Sequence, residues 1–340
     1  MSLLQFPMSL LAEKVGEPLV IAGGSFGLTG GFLLLTLAYT FPAIFLCLIL
    51  AKGTNAGQHG LGSSRISKAY EGPGRRTAMG TYNFSGDVGK VCWPFLVALM
   101  IPAWGWRRAV FLLAIGGLGV AVFLSIFAGR RKVATPSPLV PEGSPPTDHH
   151  WGIRNIKTFS ALLTIGVIDI SVRNVLLTFL PFLLLRKGIT AVQVGFALTL
   201  LFSGGAVGKF ACGVLAERWG TIPMVIGTEL LTAAGIAGLF FSPLPLVWGL
   251  LPLVGIVLNG TSSVLYATVA EIISPEGRSR GYGLYYAITL GAGALSPLFF
   301  GVITDALSLS FTILAAAAMA LITIPLSRFL SPRSPSDLAP

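Results

Sequence analysis

Long apolar runs, separated only by short loops, constrain this chain more than any other feature. A helix needs about 20 consecutive apolar residues to cross the hydrocarbon core of a bilayer. Spans of that kind are expected at Pro18–Tyr39, Phe41–Ser64, Ala78–Ala103, Arg108–Ala128 and Phe159–Leu185. Further spans are expected at Val192–Leu215, Ile222–Phe241, Leu246–Ile273, Tyr282–Ile303 and Ser310–Leu326. Hydrophobic residues make up 54% of the chain and charged residues only 11%, against about 25% charged in a soluble domain. Water cannot solvate that much apolar surface, so lipid must. The runs are continuous rather than alternating, which excludes a β-barrel. The expected fold is therefore all-α and integral to the membrane, with about ten transmembrane helices.

The net charge of +10 does not point to nucleic acid, because most of the basic residues sit in loops at the ends of spans. Lys14, Arg65, Lys68, Arg75, Arg76, Arg130, Arg131, Lys132, Arg154, Lys157, Arg218, Arg278, Arg280, Arg328 and Arg333 fall on one side. Only Arg107, Arg108, Arg186 and Lys187 fall on the other. The positive-inside rule makes the first side cytoplasmic, so the central linker and the C-terminus are expected to face the cytoplasm of an inner membrane. Cys47, Cys92 and Cys212 are isolated within apolar runs and suggest neither a disulfide framework nor a zinc site. No basic region, apolar run and cleavage site open the chain, so no leader is expected. No HExxH, no GxSxG and no catalytic cysteine setting is present; no enzyme, cofactor or metal is expected.

Proline and charge divide the chain. Residues 130–157 carry two basic clusters, with Pro136, Pro138, Pro141, Pro145, Pro146, His149 and His150 between them. This composition reads as a flexible linker. It separates an N-terminal bundle, 1–129, with about four spans, from a C-terminal bundle, 158–330, with six, and 331–340 reads as a disordered tail. The two sides resemble each other. Ser9-Leu10-Leu11-Ala12-Glu13-Lys14-Val15-Gly16 recurs as Gly213-Val214-Leu215-Ala216-Glu217-Arg218-Trp219-Gly220. Gly57, Gly74-Arg75, Gly80, Tyr82 and Pro94 recur as Gly260, Gly277-Arg278, Gly283, Tyr285 and Pro297. Matches in one register across a linker indicate a duplicated helical half. Duplicated halves are a mark of secondary transporters, whose substrate site lies near the bilayer midplane.

Leu-Ala-Glu-basic-x-Gly between two spans, in both halves, resembles the loop signature of the major facilitator superfamily, Gly-x-Leu-Ala-Asp-Arg-x-Gly-basic-basic. The resemblance covers the whole chain. It implies two pseudo-symmetric bundles and gating loops at Glu13, Lys14, Gly16 and Glu217, Arg218, Gly220. Here Glu replaces Asp in both copies, Ser9 replaces the first Gly, and the trailing basic pair is absent. Because the first copy lies at residues 9–16, the alignment implies that helix one and most of helix two are missing. Gln58-His59, Ser63-Ser64 and Gly80-x-Tyr82-Asn83-Phe84-x-Gly86-Asp87-x-Gly89 loosely resemble the fosmidomycin-resistance branch of drug exporters. Gly89-x-x-x-Trp93-Pro94 is half of the antiporter signature Gly-x-x-x-Gly-Pro, and Lys52-x-x-Asn55 stands where Arg-x-x-Gln usually lies.

Charged groups in hydrocarbon cost at least about 2.5–3.5 kcal/mol each, so they face a cavity or a partner. Lys52, Asn55 and His59 recur at helical spacing and are expected on one face, as are Asn83, Asp87 and Lys90. Asp169 and Arg173 form an i,i+4 pair, and the eighth span offers Asn259, Ser262, Ser263 and Tyr266. One reading is an aqueous cavity in which Lys52, Asn55, His59, Asn83, Arg173, Asn259 and Tyr266 meet a small polar or anionic solute or drug. Asp87, Asp169 or Glu229 would then carry a proton. The other reading is that Asp87–Lys90 and Asp169–Arg173 are local ion pairs that only stabilise packing. Lys209, about a turn from the cytoplasmic end, is expected to snorkel. The functional expectation is a monomeric secondary transporter working by alternating access; the alternative is a truncated, non-transporting membrane protein or scaffold subunit.

Overall fold

In the computed structural model, residues 2–72, 74–130 and 152–330 are described. The linker residues 131–151, with His149 and His150, and the tail 331–340 lie outside them. The described residues are almost wholly helical. The N-terminal half holds α1 (Ser2–Val15), α2 (Glu17–Leu35), α3 (Phe41–Thr54), α4 (Gln58–Ala69) and α5 (Arg75–Arg130). The C-terminal half holds α6 (Ile156–Arg186), α7 (Ala191–Trp219), α8 (Thr221–Phe241), α9 (Leu244–Ile272), α10 (Arg278–Ala306) and α11 (Leu309–Ser327). Eight helical stretches among the described residues are long and apolar enough to cross a membrane, including all six helices of the C-terminal half.

Local sequence sets the helix ends. Asn155 caps α6, its side-chain oxygen accepting from the Lys157 and Thr158 amides at 3.0 and 3.2 Å. Thr190 and Gln193 form a reciprocal capping box at the start of α7. Gly16 and Gly220, at matching places in the two repeats, both adopt positive φ (95° and 83°) where one helix hands over to the next. Within α5 the backbone leaves helical geometry at Gly105 (φ 73°), which divides it into the two expected spans.

The expected span Phe41–Ser64 is corrected. It is two short helices, α3 and α4, broken at residues 55–57. Asn55 ends α3 at φ −87°, ψ 4°, and polar side chains flank the break.

Contacts group the described residues into two units. One takes those within 1–69, 89–152 and 275–287, the other those within 70–88, 153–274 and 288–340. In the second unit, buried Val172, Leu176, Leu180, Leu201, Ile236, Leu251, Leu258 and Ile313 join α6, α7, α8, α9 and α11 in one core. The seam between α7 and α9 is built of glycines. A β-carbon at Gly204 would lie 2.0 Å from the Pro252 carbonyl oxygen, one at Gly208 2.1 Å from that of Ile256, and one at Gly255 2.0 Å from that of Leu201. Those obstacles are main chain and cannot rotate away, so the small residues set the helix separation. Gly208→Val is therefore expected to cost several kcal/mol by overpacking. Its measure is loss of the monodisperse peak in detergent, with Gly227→Ala, where nothing lies within 4 Å, as the neutral control.

The duplication is visible in the contacts of each unit taken by itself. In the second, a β-carbon at Gly80 on α5 would come 3.1 Å from the Gly213 α-carbon on α7. In the first, one at Gly283 on α10 would come 2.1 Å from Ser9 Oγ on α1. Likewise Gly260 abuts Cys212, and Gly57 abuts Met8. Both pairs of contacts follow the register of the sequence repeat.

Candidate functional site

Five charged residues carried by helices of the second unit lie close together. Asp169 and Arg173, one turn apart on α6, form an ion pair, with 6% and 11% of their side chains exposed. On α7, Lys209 reaches across to Asp87 on the first arm of α5, Nζ to Oδ2 2.6 Å, the two being 9% and 14% exposed. Lys209 also lies within electrostatic reach of Asp169, and Asp87 within reach of Arg173. From α8, Glu229, 1% exposed, lies within electrostatic reach of Asp169 and Arg173. Thr261 donates to Thr228 at 2.8 Å. From α9, Tyr266 lies within electrostatic reach of Arg173. Five helices thus bring three carboxyls, two cations and a phenol into one buried network.

Pairing is what makes those charges tolerable in an apolar surround, since each lone ion would be costly there. The network holds three acids and two bases. Glu229 is the surplus acid, buried within electrostatic reach of Asp169, which Arg173 already pairs.

Several expectations change. Lys209 does not snorkel; it is 7% exposed and is the partner of Asp87. The Lys90 side chain lies outside the described residues. Arg173 is committed to Asp169 rather than standing open to an anion. Lys52, Asn55 and His59 share no helix face, because the chain breaks between α3 and α4. Lys52 and His59 are exposed, and the His59 ring sits 6.2 Å from that of Tyr286, in the first unit. Asn83 and Asn259 bond within their own helices, to the Met79 and Gly255 carbonyls. Sequence spacing finds pairs along one helix; Asp87–Lys209 and Asp169–Glu229 join different helices and leave no such trace.

The two loop signatures also make contacts of their own. Glu217 Oε1 accepts from the Arg76 and Thr77 amides at 2.6 and 3.2 Å, capping the first turn of α5. The Arg76 guanidinium turns to Glu271 at 2.7 Å and to the Thr221 hydroxyl at 3.3 Å. In the other unit Glu13 pairs with Arg280 at 2.6 Å. Burial pushes the Glu13 carboxyl above its ordinary value, and Arg280 pulls it back down. Lys14 and Arg218 are exposed. Glu217→Ala is expected to cost about 1 kcal/mol through the lost cap. Glu217→Gln, which keeps an acceptor, should recover most of the lost melting temperature.

A duplicated set of membrane helices with a buried ion network in one unit is the build of a secondary transporter. The comparisons specify it further. The model of the Major Facilitator Superfamily matches residues 1–168 and 162–340, and the chain belongs to that family. It is 25% identical over 348 residues to the uncharacterized MFS-type transporter YfnC of Bacillus subtilis (strain 168), across 95% of this chain and 79% of that protein. It is 31% identical over 200 residues to the multidrug efflux pump Tap of Mycobacterium tuberculosis (strain ATCC 25618 / H37Rv), across 56% of this chain and 46% of that one. The match therefore spans about half the length of Tap. Its fold is that of the Escherichia coli fucose:proton symporter FucP, with a TM-score of 0.80 at 12% identity, over 97% of this chain and 87% of that structure.

Proposed function

We propose that this chain is a proton-coupled secondary transporter that moves a small polar or drug-like solute across the cytoplasmic membrane by alternating access. The observation that carries the reading is a buried Glu229 within electrostatic reach of Asp169, in a network with one acid more than it has bases. A proton on Glu229 neutralises the network; its departure leaves a buried negative charge that favours hydration or a cation. Proton release and a change of state are then linked through one free energy. Similarity to a multidrug efflux pump and the fold of a fucose:proton symporter support the solute class and the coupling ion.

In this reading the halves 1–129 and 158–330 act as the two moving bodies. The monomer is the working unit, and residues 130–157 and the C-terminus face the cytoplasm, as the basic residues favour. The test is reconstitution of the full chain in proteoliposomes under an imposed pH gradient, with ethidium and L-fucose as separate probes. Gradient-driven flux of either probe, lost in Asp169→Asn, is expected. Identical flux in empty liposomes, or flux indifferent to the gradient, sinks the reading.

A further inference from the structure

The repeat register places Gln5-Phe6 on α1 where Lys209-Phe210 stands on α7. Lys209 is satisfied by Asp87; the matching position on α10 is Leu290, which has no charge to offer. Gln5 is nonetheless fully buried, at 0% exposure, and neither its side-chain oxygen nor its nitrogen has a hydrogen-bond partner in the protein. An amide left that way costs about 1–3 kcal/mol for each unpaired group. Buried polar groups are ordinarily paired with protein or with ordered water.

The surroundings are polar, and Gly60 leaves a small space beside the amide. Gln5 lies where three helices of the first unit converge. A β-carbon at Gly60 on α4 would lie 3.6 Å from the Tyr282 carbonyl carbon and the Gly283 amide on α10, and 3.7 Å from Gln5 Oε1. Ser9, also 0% exposed, donates to the Gln5 carbonyl at 3.0 Å and accepts through its own carbonyl from Ser279 at 3.3 Å. One turn along the same helices, the Ser63 and Tyr286 hydroxyls bond each other at 3.0 Å.

We propose that the Gln5 amide is a binding point for a hydroxyl group, taken from an ordered water or from a hydroxylated solute. The amide sets an acceptor oxygen beside a donor NH2 group, and a hydroxyl supplies the complement of both. A buried water makes about three hydrogen bonds to groups of this kind. The solute source rests on the transport reading; the water source does not.

Gln5→Met keeps the length and bulk of the side chain and removes both polar atoms. If the amide were truly unoccupied, this change would relieve an unmet pair and raise the melting temperature of the full chain in detergent. An occupied amide predicts the reverse, a drop of several degrees. The same melt with L-fucose or D-xylose separates the sources. A sugar-dependent rise in the wild type that Gln5→Met abolishes assigns the hydroxyl to a solute. A less stable variant with no sugar effect in either protein assigns it to water. A variant as stable as wild type or more so, with no sugar effect, overturns the site. Should Gln5→Met not fold, a high-resolution map of the wild type decides: an ordered oxygen at the amide supports the proposal, and none there overturns it.

Discussion

Lys209→Met should lower the stability of the chain by roughly 3–5 kcal/mol, the range found when one member of a buried ion pair is removed. The reason is Asp87. With its partner 2.6 Å away gone, its carboxylate would be left largely desolvated, the pair being 9% and 14% exposed. The double variant Asp87→Leu with Lys209→Met removes both charges and should recover most of that loss, since a well-packed apolar pair is often as stable as a buried salt bridge. The coupling energy from such a cycle separates the pair from the rest of the network. If Lys209→Met melted like wild type, the lysine would be reaching water instead, as its place near a helix end first suggests. Flux in the double variant adds a second readout: restored stability without restored transport would mark the pair as functional as well as structural.

Glu229→Gln is the second large effect expected, and it should fall on coupling more than on folding. The glutamine keeps the shape and stays polar without the charge, so the packing of α8 survives. What it cannot do is release a proton. Gradient-driven accumulation should vanish, while downhill exchange of the same probe persists. Measured side by side in proteoliposomes, retained accumulation in the glutamine variant would remove Glu229 from the proton path. Loss of both modes together with an unfolded protein would be uninformative, which is why the conservative amide is chosen over alanine.

Much of the architecture could be read from residue order. The six helices of the C-terminal half begin and end within a few residues of their expected bounds because lipid solvation demands long uninterrupted apolar stretches. The repeat was legible because glycine at a tight crossing admits no replacement without collision, as at Gly80 and Gly283. The break at 55–57 was harder. Its polar residues fit a cavity-facing helix as well as a helix end, and spacing alone does not separate the two. Least legible was the ion network. Asp169 and Arg173 announce themselves as neighbours on one helix, but Lys209 and Glu229 acquire partners only when α5, α6, α7 and α8 are folded together. Gln5 gave no signal except through its counterpart in the other repeat.

The paired crossings, Gly80 against Gly213 and Gly283 against Ser9, bear on the ancestry of the chain. Drift after a gene duplication erases most common letters, yet it spares places where any added atom would strike a neighbour's main chain. Ser9 marks a crossing where the copies have parted, and there a hydroxyl has been admitted that also bonds the carbonyl of Gln5. Reverting it to glycine would restore the older symmetry and release that bond together. A family tree weighted on these few crossings should therefore recover the order in which the halves diverged better than one weighted on the lipid-facing surface.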